Sequence, residues 1–202
     1  MSSSPEPTPP RTRAVRDNRR HQWEKDRARQ PLAKRASTGA TEHETGLTPQ
    51  DLIFHAEYDD VTASEELAEA FGVPEGTPLL RRSYRTRCAR EQAPLSLVTS
   101  YLLRETIAAN PELLDVSREP WPGGTHHQLH TVGIEIDRIE ERLTARPPTA
   151  REAAELCLPD GACVILLRKT SYDLHGRVVD VSYVTLPGDR TELLFTTPLE
   201  RW

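Results

Sequence analysis

Arginines on one strand and a glycine-started turn are the groups of this chain best placed to do chemistry. In "LLRRSYRTRC" (79–88), Arg85 and Arg87 stand at i, i+2. On a strand both side chains leave one face, which Arg81 shares, and can converge on a single anion. The same spacing also suits a solvated sheet face decorated with arginine. "GGTHHQLH" (123–130) reads as a Gly-Gly turn opening a short helix at Thr125. Such a start can present N–H groups to an anion, or serve as an ordinary turn and N-cap. His126 and His130 are spaced i, i+4, but no Glu follows in H-E-x-x-H order and no nearby Cys or Asp completes a ligand set, so no metal is expected. Trp121 reads as a core or pocket-wall anchor. A clear nucleophile–base pair, a phosphate-cradling glycine loop and a second catalytic carboxylate are all missing, which argues against an enzyme.

The 202 residues suffice for one domain of about 150 residues plus a tail. The formal charge of −5 hides an asymmetry. Residues 1–40 carry ten Lys/Arg against four acids, and the remaining 162 carry 16 against 27. The body is therefore a poor general binder of nucleic acid, and only the N-terminal segment has the right sign. Its densest part, "RDNRRHQWEKDRARQ" (16–30), holds six Arg/Lys and three acids. With Ala14, Val15, Trp23 and Ala28 as its only apolar residues between 14 and 30, a helix there has no apolar stripe to bury. Residues 1–50 are accordingly expected as a basic, Pro/Arg-rich disordered tail or a docked linker, ahead of a domain over 51–202.

There is no run of about 18 apolar residues and no signal-peptide pattern. Three cysteines outside any C-x-x-C pattern argue against a disulfide framework. Cys88 and Cys163 read as small buried hydrophobes, and a reducing cytoplasm is expected.

Beyond Leu52, candidate strands cover 52–58, 77–88, 93–103, 134–146, 162–173, 177–187 and 191–199, the last closing the sheet. Helices are predicted over 62–72, 104–110 and 149–158, with Thr62 and Glu65 as the capping box of the first. The informative feature is a repeat. "TASEELAEAFGVPEGTPLLRRSY" (62–84) lies on "TAREAAELCLPDGACVILLRKTSY" (149–172), both running through a short helix, an apolar-Pro-acid-Gly turn, Leu-Leu and two basic residues. "LVTSYLL" (97–103) then lies on "VDVSYVT" (179–185), aligning Ser100–Tyr101 with Ser182–Tyr183. A duplicated helix–strand–strand unit predicts an α+β domain with a largely antiparallel sheet and helices packed against it.

That repeat, the stretch 138–173 and the ending "VVDVSYVTLPGDRTELLF" (178–195) resemble the UTRA domain. This is the effector-sensing domain of HutC-type regulators of the GntR family, which shares the chorismate-lyase fold. The resemblance covers about residues 50–202, and "WEKDRARQ" (23–30) resembles the interdomain linker of such regulators. It implies an effector held by paired strand arginines, a Ser/Thr-x-aromatic at the helix start and a late-strand carboxylate, here Arg85, Arg87, Thr125, His127 and Asp180. At the carboxylate-equivalent position of the first repeat many members have Glu, whereas this chain has Val98, which implies a ligand with fewer hydroxyl donors than an amino sugar phosphate. Members also carry a winged helix-turn-helix ahead of this domain, and no such pattern appears in residues 1–50. The DNA-reading module is thus expected to be absent from this chain, leaving only weak, salt-sensitive DNA binding or binding through a partner.

The resulting expectation is a non-catalytic, cytoplasmic sensor of a small anionic effector. It needs no cofactor and acts as a homodimer or as a heterodimer with a full-length regulator. Two alternatives stand beside it. One is an enzyme on the chorismate-lyase scaffold, its arginine pair holding a carboxylate and Asp180 or Glu192 serving as acid or base. The other is a truncated regulator that modulates a full-length paralogue.

Overall fold

The computed structural model describes residues 11–200. Its elements begin with β1 (Ala14–Asp17), α1 (Arg20–Ala28), α2 (Leu32–Ser37) and α3 (Ala40–Thr45). The first half of the domain follows as β2 (Leu52–Thr62), α4 (Glu65–Phe71), β3 (Pro78–Cys88) and β4 (Pro94–Leu103). Next come α5 (Arg104–Ile107), α6 (Gly124–His130) and β5 (Ile136–Arg146). The second half ends with α7 (Ala150–Glu155), β6 (Val164–Asp173), β7 (Val178–Pro187) and β8 (Thr191–Leu194).

Six strands form an antiparallel sheet in the order β2-β3-β4-β7-β6-β5. The α+β architecture expected from the repeat is the one observed. The two units, α4-β3-β4 and α7-β6-β7, meet at the centre of the sheet, where β4 pairs with β7 and Ser100 lies opposite Ser182. The serines aligned by sequence therefore mark the local two-fold of the duplication.

Both faces of the sheet are covered. On one, α4 buries Leu67, Ala68 and Phe71 against Leu79 and Val181. On the other, Leu129 of α6 and Ile107 of α5 pack on Leu80, Leu102 and Val179. Leu167, Val184 and Leu186 form a third cluster beside it. The helix caps are side-chain oxygens that satisfy free N–H groups. Thr149 and Glu152 make the capping box of α7. The cap of α4 is Ser64, which accepts from the Leu67 N–H, rather than Thr62, because Thr62 is the last residue of β2.

Over residues 11–51 the segment ahead of Leu52 folds as β1 and α1–α3, with β1 paired to β8 and α1 packed on α6. Three further expectations are corrected. Helix α1 buries a charged stripe instead of an apolar one, with Arg20, Glu24 and Ala28 one turn apart, and the domain supplies the counter-charges. Strand β8 does not close the main sheet but pairs in parallel with β1. Cys88 is buried as expected, whereas Cys163 is exposed.

Candidate functional site

Four strands contribute one polar residue each to a row across the middle of the α6-covered face. Strand register runs Arg82–Ser100–Ser182–Lys169. The local two-fold exchanges the two serines and exchanges Arg82 with Lys169. Arg82 is 1% exposed. It donates from Nη1 to Gln128 Oε1 (2.6 Å) and from Nη2 to Ser100 Oγ (2.8 Å) and Thr125 Oγ1 (3.5 Å). Asp180 lies behind the row, fully buried, with Lys169 Nζ at 3.4 Å and Arg82 Nη2 at 3.8 Å. It also accepts from the Ser100 hydroxyl (2.7 Å) and the Ser182 hydroxyl (3.0 Å). Burial alone raises the Asp180 carboxyl, but Lys169, Arg82 and the two hydroxyls outweigh it and hold the group below the usual aspartate range. The two-fold mate of Asp180 is Val98, so the sheet supplies two cations and one carboxylate here.

In front of the row is a cavity of about 320 Å³, near the lower end of small-molecule sites. Thr86, Ser96, Ser100 and Ser182 give it hydroxyls, and Phe54, Tyr84, Trp121, Val98 and Val184 give it apolar wall. Thr125 and Gln128 of α6 close one side. Glu119 anchors this wall, accepting from the Tyr58 hydroxyl (2.5 Å), the Tyr84 hydroxyl (3.0 Å), Gln128 Nε2 (3.0 Å) and the Trp121 N–H (2.7 Å). Burial pushes the Tyr58 hydroxyl up to about 12, so it stays a donor at neutral pH. The last wall is the N-terminal segment, through Arg16, Arg20, Glu24, Arg27, Glu42 and Glu44.

The Gly-Gly turn is needed for this closure. Gly123 has φ +99, and a Cβ there would lie 2.6 Å from His127 Cβ and 3.0 Å from Arg35 Cδ. The helix start is therefore pressed against the linker. All six basic residues of 16–30 are engaged. Arg16 and Arg20 pair with Glu44, Arg19 with Asp17, and Lys25 (2.9 Å) and Arg29 (3.1 Å) with Glu135. Arg27 donates to the carbonyls of Arg35 and Thr38.

Of the residues expected to form the site, Thr125 lines the cavity and Asp180 lies buried just behind it. Arg85 and Arg87 are not in it. Side chains alternate along β3, and the face holding Arg81, Arg85 and Arg87 is the opposite one. There Arg85 reaches Glu155 of α7 (3.3 Å) and Arg81 reaches Asp59 (2.9 Å). Arg87 donates to the Glu91 carbonyl (2.9 Å) in the β3–β4 hairpin. His127 turns from the cavity and accepts from Trp121 Nε1 (2.9 Å). Trp121 is the pocket-wall residue expected. Among the described residues no cluster of three or more His, Cys, Asp or Glu is arranged to hold a metal.

Arg82, Lys169 and the linker residues were not among the expected site residues. The signal for the first two was present, because the repeat aligns Arg81–Arg82 with Arg168–Lys169 and puts each pair's second member beside an aligned serine.

The fold and cavity define a duplicated α+β domain with a small-molecule-sized site at its pseudo-symmetric centre. Comparison with known proteins places it further. The UTRA domain family matches residues 55–192, and the chain belongs to that family. It is 32% identical over 177 residues to an uncharacterized HTH-type transcriptional regulator of Rhizobium meliloti, covering 86% of this chain and 68% of that protein. A second such regulator, from Streptomyces coelicolor, is 33% identical over 132 residues, 64% of this chain and 48% of that protein. The crystal structure of a GntR-family regulator superposes with a TM-score of 0.70 at 20% identity, over 97% of this chain and 72% of that one. The effector domain of PhnF from Mycobacterium smegmatis superposes with a TM-score of 0.58 at 23% identity, over 74% and 90%. The chain thus spans about two thirds of one curated relative and about half of the other. No helix among the described residues is long and apolar enough to cross a membrane.

Proposed function

We propose that this chain is the non-catalytic sensing part of a transcription regulator and binds a small anionic effector in the cavity beneath α6. The observation that carries the reading is the charge of the sheet's own row: Arg82 and Lys169 share Asp180, and Val98 occupies the place of a second carboxylate. An anion there meets an excess cation and several hydroxyl donors, in a site whose low polarisability strengthens the interaction. The absence of catalysis is supported by the hydroxyls themselves. Ser100 and Ser182 donate to Asp180, and among the described residues neither is hydrogen-bonded to a histidine. Effector binding would act by shifting the populations of regulator geometries, most simply in a dimer.

Calorimetry tests this with inorganic phosphate, glycerol 3-phosphate, glucose 6-phosphate and succinate, against glucose and glycerol as neutral controls. Saturable binding of at least one anion is expected, weakened about tenfold or more in Lys169→Met. Equal binding of neutral and anionic compounds, an unchanged Kd in Lys169→Met, or turnover of a bound compound would overturn the proposal.

A further inference from the structure

We infer that Glu24, the linker-helix carboxylate at the wall of this cavity, is a built-in anion that an effector's anionic group must displace, so that filling the cavity is transmitted to α1. The inference rests on the anionic-effector reading above and says how that site is regulated.

The first support is charge. Four cations and four carboxylates line the cavity, so its lining is neutral until one carboxylate is withdrawn, and of the four Glu24 is the one that accepts no hydrogen bond among the described residues, whereas Glu42, Glu44 and Glu119 do. The second is the placement of Glu24. Its side chain is only 18% exposed, and within 4 Å the only ionic contact among the described residues is His21 Nδ1 at 3.7 Å. A carboxylate so enclosed and so weakly bonded is costly to keep there unless a positive field compensates it. That field exists. Burial would raise its carboxyl, yet Arg20, His21 and Lys169 hold it far below the ordinary glutamate range. The Lys169 ammonium that attracts Glu24 is the one offered to an effector.

The third support is mechanical. Helix α1 is held on the domain by polar contacts rather than apolar packing: Arg20 to Glu44, His21 Nε2 to Glu141 Oε1 (3.1 Å), and Lys25 Nζ to the Ile136 carbonyl (2.7 Å) and Glu135 (2.9 Å). It packs on α6 and continues from β1, which pairs with β8. Glu24 lies in the middle of the stripe that α1 buries, one turn from Arg20 and one from Ala28. Withdrawal of its carboxylate therefore moves or loosens the helix, whereas a ligand group that did not compete with Glu24 would leave α1 in place.

The test compares the chain with its Glu24→Gln variant, which keeps shape and removes charge. By calorimetry, inorganic phosphate and glycerol 3-phosphate are expected to bind Glu24→Gln about tenfold or more tighter than wild type. Hydrogen exchange on the unmodified chain is the second arm and needs no variant: saturating phosphate should speed amide exchange across residues 20–28. Equal or weaker binding by a folded Glu24→Gln, or unchanged or slower exchange in α1 while phosphate is bound, overturns the inference and leaves the anionic-effector reading standing. Failure of every anion to bind either protein overturns both.

Discussion

The buried row makes a sharp demand on Arg82. Replacing it with Met keeps most of the side chain's length and removes its three side-chain hydrogen bonds. Gln128 Oε1 and Thr125 Oγ1 then lose their partner, and Asp180 keeps only Lys169 and serine hydroxyls in a fully buried position. Removing one side of a buried ion pair costs about 3–5 kcal/mol. The surviving Lys169 contact puts Arg82→Met at the lower end, about 3 kcal/mol. For a domain of this size that lowers Tm by roughly 6–12 °C. Urea unfolding followed by circular dichroism measures the change directly, with an unaltered slope if the native fold is retained. The double variant Arg82→Met/Asp180→Asn should cost clearly less than the sum of its singles, because the stranded charge is gone. Arg85→Met is the control. Its side chain is 51% exposed and its partner Glu155 is half-buried and also bonded by Arg151, so the cost should stay within about 1 kcal/mol. A cost below about 1 kcal/mol for Arg82→Met, or an equal cost for Arg85→Met, would refute the assignment of faces on β3.

Three other outcomes are expected. Burial lowers the His126 pKa to about 4, so between pH 6.5 and 4 the unfolded chain binds a proton that the folded one refuses. Stability therefore falls as pH drops through that window, by up to about 3 kcal/mol, and chemical denaturation of His126→Asn across it should show that much less loss. Gly123→Ala puts a Cβ against His127 at φ +99 and should destabilise by about 1–3 kcal/mol, read as a lower Tm in a thermal melt. Because every basic side chain of 16–30 is already paired, a gel shift with duplex DNA should show only weak binding that is lost by about 0.2 M salt. A sequence-preferring shift that persists would contradict those pairings.

The duplication was legible because both copies keep the same punctuation: a capped helix, a Pro-acid-Gly turn and a serine-aromatic step. It aligned Ser100 with Ser182, and the fold pairs these two residues at the centre of the sheet. The face of β3 was not legible. Alternation separates Arg81, Arg85 and Arg87 from Arg82, Tyr84 and Thr86, but it names the cavity side only when one face is polar and exposed. Here Leu79 and Leu80 are both buried, one on each face, so the apolar pattern gives no direction. The bulge between Thr86 and Arg87 adds a register change that spacing cannot reveal. How the linker docks was hidden for a different reason: α1 buries Arg20 and Glu24, and their partners Glu44 and Lys169 lie 24 and 145 positions along the chain. No local window contains both halves of such a stripe.

A crystal structure of the chain with glycerol 3-phosphate bound tests the site most directly. Density for the phosphate is expected in the cavity within hydrogen-bonding reach of Lys169, between Ser182 and Thr125. Density on the other face of the sheet instead, beside Arg85 and Glu155, would contradict it.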